Sequence, residues 1–252
     1  MSVRRFYDDL TEYYHLIYTD WEASLRRQGK QLNEIVRRFQ SDGALDLLDV
    51  ACGIGTQSIG LALCGKYQVT GSDLSPASVE RARREAAARG VKIGFSTADM
   101  RHAFAHHGQR QFDVVIACDN ALPHLPDDGT IAEVFSELYR CTKDGGLCLI
   151  SVRDYANFSI SGTQVHPYGV REYGGKRYVL LQVWDLAGKM YNTDFYLIED
   201  DRSGRPVTRL ASTTYYVITT DRLAELMREA GFCQVQRLDD VYFQPILIGI
   251  KS

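Results

Sequence analysis

Apolar and polar positions along this chain fall into blocks whose period changes. Residues 4 to 40 carry apolar side chains at helical spacing and read as helix, ending near Ser41-Asp42-Gly43. The start of that block is rich in aromatics: Phe6, Tyr7, Tyr13, Tyr14, Tyr18 and Trp21. Short apolar runs then alternate with helical stretches: LDLLDVA, a helix from Thr56, YQVTGSD, a helix through Glu80 to Arg89, KIGFSTAD, FDVVIACD, a helix through Val134 to Arg140, and LCLISVRD. Such alternation predicts an α/β fold, with helices covering both faces of a mostly parallel, doubly wound sheet. After Tyr155 the pattern changes. RYVLLQVWDL, MYNTDFYLIEDD and TRLASTTYYVI read as strands separated by the turn-prone segments Ala187-Gly188-Lys189 and Arg202-Ser203-Gly204-Arg205. This predicts an antiparallel β insertion. The regular fold resumes with Asp221 as N-cap, the helix RLAELMREA, a stop at Gly231, and two last strands, QVQRLDD and ILIGIKS, which bring the main sheet to seven. The expected division is a helical lid over residues 1–40, a sheet domain over 41–155 and 219–252, and the insertion over 156–218.

Chemistry concentrates where the first strand ends. In LLDVACGIGTQSIGLA, residues 47–62, the apolar run stops at Asp49, a turn follows at Gly53 and Gly55, and a helix opens at Thr56. Glycine lets backbone approach a ligand closely, and a helix start presents free N–H groups. The third glycine of a dinucleotide fingerprint is replaced by Ser58. Asp73 ends the next strand, about 20 residues on, the spacing at which a carboxylate binds a ribose diol. Its alternative role is to cap the helix in SPASVERA. The expectation is a nucleoside-bearing ligand with little or no phosphate. Asp49, Asp73, Asp99, Asp119 and Arg153 each fall at or just past a predicted strand end, where ligands lie in doubly wound sheets.

Composition narrows the function further. The 252 residues carry a formal net charge of −3, so no basic footprint invites nucleic acid. Arg81, Arg83, Arg84 and Arg89 cluster, and read as a solvated helix face. No apolar run reaches the roughly 18 residues needed to cross a bilayer, and MSVRRFYDD lacks an apolar signal core, so a cytoplasmic location is expected. The six cysteines contain no Cys-x-x-Cys. Cys52, Cys118, Cys141 and Cys148 sit in or beside apolar runs and read as buried thiols. His106-His107 has no companion pair at ligand spacing, so no metal is expected.

LDVACGIGT followed by VTGSDLS resembles the class I S-adenosylmethionine-dependent methyltransferases. The downstream segments DNALPHLPDD and GGLCLISVRDY narrow the likeness to glycine N-methyltransferase and the bacterial glycine/sarcosine N-methyltransferases, over residues 5 to 155. The resemblance implies S-adenosylmethionine as cofactor and S-adenosylhomocysteine as product. It implies that Ala51, Gly53, Gly55 and Thr56 pass close to the cofactor's tail and ribose, with Asp73 and Leu74 at the ribose and Asp99 and Met100 at the adenine. Asp49 would anchor the loop or reach the cofactor's amino group through water, and Asp119 would line the same end. Arg27 would hold the cofactor carboxylate, under a lid that includes Tyr14 and Trp21; a surface arginine and an aromatic core seam are the competing readings.

On the acceptor side the resemblance assigns four residues. The Asn120 carbonyl would accept from the substrate amine, and His124 would position groups near the cofactor rather than act as base. Arg153 would pair with the substrate carboxylate, or else form a structural ion pair with Asp154 or another acid, and Tyr155 would wall the pocket. The insertion tyrosines Tyr168, Tyr173, Tyr191, Tyr196, Tyr215 and Tyr216 are further candidates. The implied reaction is direct in-line methyl transfer to the amine of a small carboxylate-bearing molecule. Rival readings are O- or C-methylation of another small molecule and a non-catalytic S-adenosylmethionine binder; the missing third glycine disfavours a nicotinamide dehydrogenase. The insertion and the aromatic N-terminal helix are candidate surfaces for a homo-oligomer.

Overall fold

The computed structural model describes residues 2–156 and 162–252. Its first block is helix, but not one helix. α1 (Val3–Leu10) is capped by the Ser2 hydroxyl, which accepts from Arg5 N–H. A short 3-10 turn, Tyr14–Ile17, separates it from α2 (Trp21–Val36), capped by the Asp20 carboxylate. The predicted continuous helix breaks at Thr11 for two reasons. The Thr11 hydroxyl donates back to the Tyr7 carbonyl, and its own carbonyl accepts from the Arg81 guanidinium instead of a helical amide. Arg81 is therefore buried at 5% exposure, not part of a solvated face.

The alternating block forms β1 (Leu45–Asp49), α3 (Thr56–Leu63), β2 (Tyr67–Asp73), α4 (Pro76–Ala88), β3 (Gly94–Thr97), α5 (Ala103–His106), β4 (Phe112–Ala117), α6 (Asp128–Cys141) and β5 (Thr142–Ser151). The insertion supplies β6 (Thr163–Tyr173), β7 (Lys176–Ala187), β8 (Met190–Asp200) and β9 (Val207–Tyr216). α7 (Thr220–Glu229), β10 (Cys233–Leu238) and β11 (Ile246–Ile250) follow. The main sheet is seven-stranded, ordered β3-β2-β1-β4-β5-β11-β10. β1 to β5 run parallel and β11 runs antiparallel to both its neighbours. Strand order reverses between β1 and β4, which places the ligand crevice beyond their C-terminal ends. Leu48, Val115 and Ile150 face α6 and α7, while Leu47, Val114 and Ile116 face α2 and α3. α7 is capped by Thr219, not Asp221, which lies in its first turn.

α2 and α3 cross so closely that a Cβ on Gly29 would lie 2.3 Å from the Gly60 carbonyl carbon. Glycine at both positions is what brings α2 against the helix that opens the Gly53 loop. The insertion is a four-stranded antiparallel sheet, β6-β7-β8-β9. β6 goes unread in the sequence because it contains Pro167 and Gly169; the pairing with β7 shifts between them, as an edge strand with a bulge allows. The inner face of this sheet, with Leu180, Phe195, Leu197 and Ala211, packs on Phe6, Leu10 and Leu16. α1 and the insertion thus close together over the strand ends. Cys52, Cys118, Cys141 and Cys148 are buried, and none of the six cysteines is in a disulfide. Among the described residues no helix is long and apolar enough to cross a membrane.

Candidate functional site

Two cavities meet at the C-terminal edge of the main sheet. The larger, of about 240 Å³, is lined by Ala51, Gly53 and Thr56 of the loop after β1, by Asp73 and Leu74 after β2, by Asp99 and Met100 after β3, and by Asp119 and His124 after β4. Tyr7, Tyr14 and Tyr18 close it from the N-terminal segment. The Asp73 carboxylate is held at both oxygens: Gly53 N–H donates to one at 2.8 Å and Ser75 N–H to the other at 2.9 Å. Ser75, not Asp73, caps α4. Each carboxylate oxygen keeps a lone pair for a further donor. Burial raises the Asp73 carboxyl above its ordinary value, and the two amides oppose that rise. Asp99 is forked by the Arg101 guanidinium, with a shortest contact of 2.6 Å. Burial alone would raise its carboxyl, but the Arg101 contacts outweigh it and hold it below the usual range. Gly53 has φ +51°, the left-handed region that glycine enters without penalty.

The smaller cavity, of about 50 Å³, lies under the insertion and shares Tyr7, Tyr14 and Asp119 with the larger one. Asn120, Arg153, Tyr168, Gln182 and Tyr215 complete its polar lining. Asp119 and Asn120 both sit at positive φ, +58° and +65°, an uncommon pair of left-handed non-glycine residues. Ser151 holds that turn: its hydroxyl accepts from Asp119 N–H at 2.7 Å and its carbonyl from Asn120 N–H at 3.0 Å. Asp119 accepts from the Tyr18 hydroxyl and the Gln244 amide, both at 3.3 Å. Burial raises its carboxyl, while the nearby Arg153 charge pulls it back.

His124 Nε2 lies 2.7 Å from the Tyr7 hydroxyl, and its ring packs 4.2 Å from that of Tyr215. Burial lowers its imidazole to about 3, so it is neutral at physiological pH. Arg153 has no acidic partner within ion-pair distance among the described residues. The alternative partner, Asp154, is taken by Arg237 at 2.8 Å.

Several expected site residues stand elsewhere. Arg27 is exposed, donates to Ser24 Oγ at 3.1 Å and lines neither cavity; its neighbour Arg26 is exposed as well and paired with Glu22. Trp21 also lines neither cavity. It packs in the core between α2 and α4 and donates to Thr56 Oγ1 at 2.9 Å. Asp49 is fully buried behind the loop, where it accepts from Ser58 Oγ at 2.6 Å and Ala51 N–H at 3.3 Å. Its burial pushes its carboxyl up to about 7. Gly55 lies just outside the cavity, and a Cβ there would strike Ile59 at 2.8 Å. Asn120 Oδ1 already accepts from Arg153 N–H at 3.0 Å, and its Nδ2 donates to Tyr155 Oη at 2.9 Å. Its amide orientation is thus set by the protein. Tyr155 sits behind the cavity rather than in its wall.

Tyr7, Tyr18, Gln57 and Gln182 line the cavities without having been singled out for the site. The aromatic spacing of the N-terminal block was the available signal for Tyr7 and Tyr18. Among the described residues no cluster of three or more His, Cys, Asp or Glu side chains is placed to hold a metal.

Residues 47–146 match the family of methyltransferase domains. The glycine/sarcosine N-methyltransferase of Parasynechococcus marenigrum is 30% identical over 174 residues, covering 69% of this chain and 59% of that protein. The chain thus spans a little over half the length of that relative. Among solved structures, DesVI of Streptomyces venezuelae superposes with a TM-score of 0.81 at 16% identity, covering 96% of this chain and 98% of that one. The sugar N-methyltransferase KedS8 from Streptoalloteichus gives 0.75 at 23% identity, covering 96% and 94%. The cavity at the strand ends fits a nucleoside with a short charged tail and a ribose acceptor, and needs no phosphate cradle. With a methyltransferase domain match over residues 47–146 and this strand order around it, the chain carries a methyltransferase domain in the fold shared by S-adenosylmethionine-dependent methyltransferases.

Proposed function

We propose that this chain moves a methyl group from S-adenosylmethionine to the amine of a small carboxylate-bearing molecule. One observation carries the reading: Arg153 faces the smaller cavity with no carboxylate within ion-pair distance among the described residues, and Asp119, the acid that shares the cavity, feels its charge without contacting it. A charged group in such a place is costly unless something pairs with it. Its guanidinium makes one side-chain hydrogen bond among the described residues, to Tyr191 Oη, and a carboxylate would engage two more of its five N–H donors side by side.

In this reading Asp73 takes the ribose hydroxyls, Asp99 and Met100 take the adenine, and the Ala51–Gly53 loop and Thr56 border the tail. Tyr14 and Tyr18 cover the methionine portion in place of Trp21 and Arg27. Residues 2–40 and 162–218 form the cover, and the sheet domain forms the floor. When bound, S-adenosylmethionine supplies a methyl group already activated on a positively charged sulfur. The chain's residues supply position and exclude water. Holding two reactants in register contributes about 7–11 kcal/mol. Asp119, the one carboxylate lining the smaller cavity among the described residues, accepts a hydrogen bond from the amine N–H. An amine whose pKa lies two units above ambient pH loses its proton at a cost of about 2.7 kcal/mol. That is small beside positioning, so no strong base is needed, and neutral His124, tied to Tyr7, is placed to shape the pocket rather than take the proton.

The test is methyl transfer from labelled S-adenosylmethionine to glycine and sarcosine, with glycinamide as the carboxyl-blocked control. The carboxylates should be used at least about tenfold better, in kcat/KM, than the amide. Equal use of all three, or transfer only to oxygen or carbon acceptors, refutes the reading.

A further inference from the structure

Arg153 lies two residues past the end of β5, yet the groups that fix its guanidinium come from the insertion. Nη1 donates to Tyr191 Oη at 2.5 Å. Cζ lies 4.6 Å from the Trp184 ring centre and 6.0 Å from that of Tyr215. Tyr191 Oη lies 3.0 Å from Tyr155 Oη, which accepts from Asn120 Nδ2. Asn120 Oδ1 accepts from Arg153 N–H. These contacts close a ring that leaves Arg153 through its side chain and returns through its backbone. Tyr191 is fully buried at 0% exposure and lines neither cavity. Its ring stacks on Tyr215 at 5.1 Å and 16°, and Tyr215 in turn packs on His124.

A phenol suits this place for a chemical reason. A carboxylate partner would orient the guanidinium but also neutralise it, and would compete with any anionic ligand. A neutral hydroxyl orients one N–H and leaves the charge available. We propose that Tyr191 is a positioning residue through which the insertion aims the Arg153 guanidinium at the acceptor's carboxylate. The proposal rests on the carboxylate reading above, and adds to it that an insertion residue outside the cavity lining sets acceptor preference through Arg153.

Tyr191→Phe keeps the ring and its stacking and removes only the hydroxyl. With glycine as acceptor, KM should rise about tenfold while kcat stays within about twofold, and glycinamide kinetics and S-adenosylmethionine affinity should not change. Tyr155→Phe, one link further from the guanidinium, should shift KM in the same direction by less. A second readout needs no acceptor. The Arg153 Nη resonances, assigned by their loss in Arg153→Lys, should be resolved in the wild-type 15N spectrum of the S-adenosylhomocysteine complex and averaged by rotation in Tyr191→Phe. Equal loss of glycine and glycinamide turnover, or unchanged Nη resonances, overturns the proposal. A wild type that does not discriminate glycine from glycinamide instead sinks the carboxylate reading, and the resonances alone then decide the role of Tyr191.

Discussion

Replacing Arg153 with methionine separates what this arginine does for an acceptor from what it does for the fold. Charged hydrogen bonds to an acceptor carboxylate contribute about 1.5–3 kcal/mol. At about 1.4 kcal/mol per tenfold, their loss lowers kcat/KM for carboxylated amines by about 10- to 150-fold. The structural ledger runs the other way. In the wild type the guanidinium is supported by one phenol at 2.5 Å and by the faces of Trp184 and Tyr215, with no acid within ion-pair distance among the described residues. A phenol hydrogen bond and a cation–π contact contribute about 1–2 kcal/mol each, whereas taking an uncompensated charge out of water costs several. Methionine fills similar length without that cost. The ligand-free variant should therefore melt within about 2 °C of wild type or above it, where 1 kcal/mol shifts the midpoint by roughly 2–4 °C for a chain of this size. Calorimetry should find S-adenosylmethionine affinity within about threefold of wild type. A melting point lowered by more than about 4 °C would show that Arg153 holds the fold together. A matching collapse of cofactor affinity would move it into the cofactor site.

Asp73→Ala removes a carboxylate that holds Gly53 and Ser75 and faces the larger cavity; S-adenosylmethionine affinity should fall at least about tenfold by calorimetry, and undiminished affinity would end the ribose assignment. His124 carries a pH signature. Burial lowers its imidazole to about 3, while the unfolded one titrates near 6.5, so as pH falls through that window the unfolded chain takes the proton first. Wild-type stability should be at its full value above about pH 6.5 and decline relative to His124→Gln by up to about 1.4 kcal/mol per pH unit below it. Parallel urea-unfolding profiles between pH 7 and 4.5 would refute this. Gly29→Ala forces a Cβ to 2.3 Å from the Gly60 backbone; rigid backbone cannot step aside, so thermal unfolding should show a loss of about 3 kcal/mol, and a near-neutral result would mean the two helices are free to separate.

What could be read from the sequence was what nearest neighbours along the chain decide. Apolar runs ending in Asp49 and Asp73 are local signals, and they place both residues at the ends of parallel strands. β6 escaped notice because Pro167 and Gly169 are local signals too, and they argue against a strand. An edge position and a bulge make them acceptable, and neither is visible until β7 lies alongside. The break after α1 is decided by Arg81, 70 residues away in sequence, which takes the Thr11 carbonyl. Read locally, the same arginine belongs to a charged helix face. One long-range contact thus accounts for two misreadings.

The two halves of the site differ in the same way. The larger cavity is made of successive strand ends, each a short local pattern, so the placement of Gly53, Asp73, Asp99 and Met100 around it was legible. The smaller cavity draws on α1, the turns after β4 and β5, and the insertion, whose mutual placement no spacing encodes. Asn120 shows the consequence. Its position was readable, but the direction of its amide is set by the Arg153 backbone and the Tyr155 hydroxyl, so its expected use as an open acceptor does not follow from where it stands. Arg27 fails for the complementary reason: the N-terminal block reads as one continuous helix, whereas it breaks between α1 and α2, and Arg27 faces solvent while Tyr14 and Tyr18 reach the cavity. If the smaller cavity takes the acceptor, as proposed, acceptor identity is encoded in packing between distant segments, and substitutions at the lining insertion residues Gln182 and Tyr168 should alter acceptor choice without altering cofactor affinity.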